Sequence, residues 1–170
     1  KNKKDIIIVD FGPTPDKKYS ADYQSGALSL EIFHNKEKVI TNCGYFQNYN
    51  HKLNILSKST AAHSTVSIDD RSSCKFKKDK LGCFTLESAV KVTNKKIYQD
   101  DEIWEIQGVH DGYLKEYGIL HKRIIKFFPK EFKYVGEDII ISKKNFRKVG
   151  YDIRFHLLPG TNAIKTQDRQ

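Results

Sequence analysis

The chain has no methionine, one tryptophan, three cysteines and four prolines in 170 residues. Translation starts at Met, so a Met-free chain is expected to be a processed product or a piece of something longer. No apolar run approaches the roughly 18 residues that a membrane-spanning helix requires. The longest, residues 6–9 and 139–141, are far shorter, so no transmembrane segment is expected. Lys1, Lys3 and Lys4 are basic, but Asp5 and Asp10 break up the next ten residues and no apolar segment with a small-residue cleavage site is present, so no signal peptide is visible. Cys43, Cys74 and Cys83 form no CxxC, and the six histidines form neither HxH nor HExxH, which excludes a local metal motif and a disulfide framework. A single Cys74–Cys83 bridge stays open, because spacing cannot fix its geometry. There is no internal repeat, low-complexity tract or Pro-rich linker, so residues 1–170 read as one domain, with 1–10 an edge strand or linker.

What is present points to a folded chain of mostly short strands. Hydrophobic residues make up 38% and aromatics 12%, too much for a disordered tail. The apolar residues recur mainly with period two between turns rich in Gly, Asn, Asp and Lys. Leu28, Leu30 and Ile32 alternate with Ser29 and Glu31; Val66 and Ile68 alternate with Thr65, Ser67 and Asp69; Tyr151, Ile153, Phe155 and Leu157 alternate with Asp152, Arg154 and His156. Further strands are expected at 6–11, 38–42, 89–92, 96–99, 102–109, 119–128, 132–134, 138–142 and 163–166, with a hairpin turning at Asn94 and Lys95. Residues 45–60 are polar and read as a long loop or short helix at one end of the sheets, where binding residues tend to sit. The pattern predicts an all-β fold, an antiparallel β-sandwich.

Polar candidates stand out against this frame. His63 shares strand parity with Thr65 and Ser67, which predicts that its ring faces away from the core built by Val66 and Ile68. His121 and Arg123 share one face of the 119–128 strand, read as solvated, and Arg154 and His156 are read as outward. Asp111-Gly112 reads as a turn beside His110. The net charge is +9. Residues 121–150 hold nine Lys or Arg against three Asp or Glu, and residues 71–100 eight against three. Such a surface attracts any polyanion. Without a zinc finger, RNA-recognition motif or basic helix, specific nucleic-acid binding is not expected.

Several motifs in order resemble the C-terminal domain of the heparinase II/III family. They are Gly26-Ala27-Leu28-Ser29-Leu30-Glu31, then Val39-Ile40-Thr41-Asn42-Cys43-Gly44, then Thr60-Ala61-Ala62-His63-Ser64-Thr65-Val66-Ser67-Ile68-Asp69. His110-Asp111-Gly112-Tyr113 with Gly118 and His121-Lys122-Arg123, and Arg154-Phe155-His156-Leu157-Leu158-Pro159-Gly160, continue the likeness to the end of the chain. The resemblance implies the supersandwich-like β module of a bacterial polysaccharide lyase, cut from an upstream α/α toroid and lacking its last strands. It implies β-elimination on a uronic-acid-containing polymer in the cell envelope or periplasm, with the catalytic base supplied by the toroid. By the same resemblance Gln24, Asn42, His63, His110 and Arg123 are substrate-binding candidates, and His63 is a cleft contact or charge neutraliser. His63 matches the His of an Ala-His-Asn/Ser-Thr motif that binds zinc in some members. Asn42 stands where those members have an Asp, and Gln24 and Asp22 roughly where they have a His pair. Neutral amides are poor zinc ligands. The expectation is therefore a metal-free polar cluster of His63, Asn42 and Gln24, with no cofactor. The alternative is a non-catalytic carbohydrate-binding or structural module.

Overall fold

A computed structural model describes residues 4–143 and 148–164. It is built from β1 (Asp5–Val9), β2 (Leu30–His34), β3 (Glu37–Thr41), α1 (Lys52–Lys58), β4 (Val66–Ile68), β5 (Phe76–Lys78), β6 (Phe84–Leu86), β7 (Val92–Gln99), β8 (Trp104–His110), α2 (Leu114–Tyr117), β9 (Ile119–Phe128), β10 (Lys133–Ser142), β11 (Tyr151–Ile153) and β12 (His156–Leu157). Every pairing is antiparallel. One sheet has the order β1-β2-β3-β12 and a second β10-β9-β8-β7; β11-β4 and β5-β6 form two-stranded ribbons.

The two larger sheets face each other, as the alternation predicts. β9 has a strict period of two, with Ile119, His121, Arg123, Ile125 and Phe127 buried. Leu30 and Ile32 of β2 pack on Ile125, with Val9, Ile40 and Tyr134 around them. Gly108 lets this layer close, since a Cβ there would lie 2.8 Å from Phe11 and 3.0 Å from Leu28. A second cluster joins Val66, Ile68, Tyr113 and Ile119. The result is an all-β sandwich. β1 pairs along β2 from Asp5 opposite His34 to Val9 opposite Leu30, so the described part of the first ten residues is mainly an edge strand.

Several local expectations are corrected. Asn94 and Lys95 do not turn a hairpin. Asn94 takes a positive φ of 50° inside the continuous strand β7, where the register with β8 slips between Thr93 and Lys96, as a bulge requires. Residues 133–134 and 138–142 belong to the single strand β10, because Gly136 pairs in register opposite Ile125, while Phe132 sits in the preceding turn with φ at 51°. Only Val92 of 89–92 is strand, and β5, β6 and α2 are additional. The expected 151–157 strand splits: β11 pairs with β4 and β12 with β3. There Tyr151, Ile153 and Phe155 are exposed while Arg154 bonds Ser67 and Asp152, reversing the predicted faces. Charge-assisted hydrogen bonds to the buried Ser67 hydroxyl and to Asp152 hold Arg154 on this side. In the expected 163–166 strand, Ala163 and Ile164 are irregular, and Lys165 and Thr166 lie outside the described residues. Cys43, Cys74 and Cys83 are free thiols.

Candidate functional site

His63 lies where a short 3-10 turn, Thr60–Ala62, opens into extended backbone before β4. Its ring is buried, at 4% exposure, and not turned outward as parity predicted. The reason is that all of β4 is enclosed on both faces, so alternation there carries no inside or outside. Gly26 makes room for the ring, because a Cβ would come within 2.8 Å of its Cδ2.

The ring's proton is fixed by its neighbours. Nδ1 lies 2.8 Å from the Ser59 carbonyl, which can only accept, so Nδ1 carries the hydrogen. Burial pushes the imidazole below its ordinary value, against the hydrogen bond to Ser59 and the charge of Glu31, so the ring is neutral and Nε2 keeps its lone pair. Nε2 is 3.0 Å from Gln24 Oε1. Two acceptors cannot bond, and amide ends are interchangeable by a flip, so Gln24 turns its NH2 to the ring and its carbonyl away.

Asn42 follows β3. Its backbone N–H donates to Glu31 Oε1 at 3.1 Å, and its side-chain carbonyl accepts the Ser64 N–H at 2.8 Å. Gln24, Asn42 and His63 thus converge on a cavity of about 330 Å³, lined also by Ile8, Val9, Asp10, Ser29, Glu31 and Gly44. Asp22 is not among them. It accepts hydrogen bonds from Tyr45 and Tyr49 at 3.0 and 2.9 Å under the 45–50 loop, so Gln24 and not Asp22 supplies this wall.

The set does not suit zinc. Both positions that carry anionic or imidazole ligands in the zinc-binding pattern hold neutral amides here. The Asn42 carbonyl is used by Ser64, and the His63 lone pair is met by Gln24. Among the described residues, no group of three or more His, Cys, Asp or Glu could hold a metal ion.

His110 and Arg123 form a separate, interior cluster, at 1% and 2% exposure. The reading of a solvated face for His121 and Arg123 is corrected: this face of β9 looks into the sandwich, where each polar group finds a partner. The Gly112 N–H donates to His110 Nδ1 at 3.1 Å. His110 Nε2 and His121 Nδ1 are 3.0 Å apart, and His121 Nε2 lies 2.7 Å from Asp138 Oδ1. One assignment satisfies all three contacts: His110 donates to His121, which donates to Asp138, with both rings neutral. Burial drives both imidazoles down, His110 strongly. Burial would raise Asp138, but hydrogen bonds from His121 and Arg123 and the guanidinium charge outweigh it and hold the carboxyl at about 2.

Arg123 grips Asp138 through Nε at 2.7 Å and Nη2 at 3.0 Å, and its Nη1 donates to Ser64 O at 2.7 Å and Leu28 O at 3.0 Å. It therefore fixes the chain one residue beyond His63. Neither His110 nor Arg123 lines the cavity, so the role open to them is to position the His63 segment, not to touch a ligand. Tyr113 does similar work, donating from its hydroxyl to Val66 O at 2.9 Å.

Sequence reading missed Lys58. It is fully buried at the end of α1, with its ammonium on the carbonyls of Ala21 and Tyr23 and over the rings of Tyr45 and Phe76 at 4.9 and 5.4 Å. Burial lowers its pKa. A lysine ending a polar helix gives no sequence signal of burial; its partners come from residues 21–23, 45 and 76.

The profile of the family described as heparinase II/III-like, C-terminal, matches residues 2–170. A curated relative, FtsZ-localized protein C of Caulobacter vibrioides (strain NA1000 / CB15N), is 28% identical over 174 residues, covering 95% of this chain and 30% of that protein. The chain thus spans less than a third of that relative's length. No solved structure matches this chain.

Proposed function

Because the chain belongs to the heparinase II/III-like C-terminal domain family, we propose that it is the β-sandwich module of a polysaccharide lyase of the cell envelope, acting with an upstream α/α toroid on a uronic-acid-containing polymer. In that reaction a base takes the C5 proton of the uronate, the electron pair forms the C4–C5 double bond, and the 4-linked oxygen leaves and is protonated. The observation that carries the reading is the cavity where Gln24, Asn42 and His63 meet. Its unspent amide groups suit a ligand rich in hydroxyls, and its rigid support by Arg123 suits a fixed cleft wall. His63, held neutral, supplies a polar contact and not a positive charge. The family resemblance puts the base in the toroid, and burial pushes the Tyr23 and Tyr113 hydroxyls up, the opposite of what a phenolate base needs.

The test follows unsaturated-uronate absorbance when the full-length protein is given heparan, alginate and other polyuronates. A rising signal with one of them supports the reading, and none with any polymer overturns it. His63→Ala is expected to lower turnover by about tenfold or more, the scale of one misplaced cleft contact. A second reading has its own support, since the curated relative is named for localisation with FtsZ. On that reading the module is a non-catalytic saccharide-binding unit of a protein that localises with FtsZ, and turnover by any parent enzyme survives His63→Ala unchanged.

A further inference from the structure

The cavity at His63 has the wrong charge for a uronate carboxylate. No Lys or Arg lines it, and its charged groups are Asp10 and Glu31. Glu31 is fully engaged, by Lys38 at 3.0 Å, the Asn42 N–H at 3.1 Å and the Thr41 hydroxyl at 3.4 Å. Asp10 uses Oδ1 for the Gly12 N–H at 2.9 Å, and no hydrogen bond reaches its Oδ2 among the described residues. The nearby Lys95 ammonium donates to the Phe11 carbonyl at 2.6 Å. Asn42 binds Ser64 through its carbonyl alone, which leaves its NH2 for the cavity; with the Gln24 amide flipped so that its NH2 meets the His63 lone pair, the Gln24 carbonyl is left for a ligand.

From this arrangement we infer that the cavity takes a neutral sugar ring through a pair of adjacent hydroxyls. The inference refines the polysaccharide reading above and rests on it. Each hydroxyl both donates and accepts. One can donate to Asp10 Oδ2 while accepting from the Asn42 NH2, and its neighbour can donate to the Gln24 carbonyl. Ile8 and Val9 on the same wall offer apolar surface to the ring's C–H face. A carboxylate offers only acceptors and would stand beside Asp10, where like charges repel. A divalent cation would find Asp10 as its single free anionic ligand. The polymer's charged residues then fall outside the cavity.

The experiment titrates the isotope-labelled 170-residue chain with three matched pairs: cellobiose and the β-1,4-linked diglucuronic acid, mannobiose and dimannuronic acid, galactobiose and digalacturonic acid. The readout is the side-chain NH2 signals of Gln24 and Asn42. At least one neutral sugar is expected to shift both signals, its acid needing about tenfold more or failing. Asp10→Asn is expected to erase that preference while the Trp104 indole signal, set by packing on Phe127, stays in place. An acid that shifts these amides as well as its neutral partner overturns the inference. So does a set in which no neutral sugar shifts them, or one in which zinc chloride alone moves the His63 ring signals. The readout needs no turnover, so a lyase-negative result and a failure of this inference are told apart.

Discussion

At the scale of residues, the site depends on two substitutions of chemical type and one of size. Gln24 and Asn42 are amides, so the cluster closes by hydrogen bonds to His63 and Ser64 and not around an ion. Replacing both, Gln24→His with Asn42→Asp, restores a His-Asp-His set. The double variant is expected to gain a zinc-dependent rise in melting temperature, about 2.7 kcal/mol at a hundredfold excess over Kd. The natural chain is expected to show none in the same thermal scan. Gly26 is the size constraint. Gly26→Ala puts a methyl 2.8 Å from His63 Cδ2 and 3.0 Å from Ser29 Oγ. The expected cost is about 1–3 kcal/mol in urea unfolding, with the Gln24 side-chain signals displaced because the ring must move. The sequence makes the first point legible, since residue type alone shows that two anionic or imidazole ligands are absent. It hides the second, because nothing local says that residue 26 lies under residue 63.

At the scale of elements, β9 teaches most. Its alternation was readable, but which face turns inward was not, because Ile119, Ile125 and Phe127 share parity with His121 and Arg123 while Ile124 and Phe128 lie on the other side. The buried face is decided by partners on other strands: Asp138 on β10, His110 on β8, and the carbonyls of Leu28 and Ser64. Arg123→Met removes one half of a buried ion pair and leaves Asp138 uncompensated. It is expected to cost about 3–5 kcal/mol by chemical denaturation, with Arg123→Met, Asp138→Leu together costing less than the single change. β7 gives the opposite lesson. Asn-Lys between two apolar runs has hairpin character, yet the extra residues are absorbed as a bulge because β8 offers a full-length partner. At Asn94, with φ at 50°, Asn94→Gly is expected to be neutral or mildly stabilising, whereas Asn94→Val is expected to lose about 1–2 kcal/mol in the same measurement.

For the whole molecule, three buried neutral imidazoles link folding to pH. His63, His110 and His121 all titrate below their ordinary 6.5 in the folded state, with burial the largest cause for each. The unfolded chain then binds more protons, so stability is fully present above about 6.5 and falls as pH drops below it, each ring contributing up to about 1.4 kcal/mol per pH unit. Asp138, held at about 2, adds a further loss only at much lower pH, as the solution falls below the usual carboxylate range. Urea midpoints that decline from pH 7.5 to pH 5 are the expected result, and a flat profile would contradict the neutral buried rings. By itself the sequence determined the all-β class, most strand positions and the charge excess. Those come from local periodicity and residue chemistry, which neighbours along the chain express. Tertiary structure alone decided that His63 and Arg123 lie inside, that the cavity is acidic in a chain of charge +9, and that Lys58 is buried. Burial and local charge depend on which distant strands pack together, and a sum over the sequence cannot say where its charges meet.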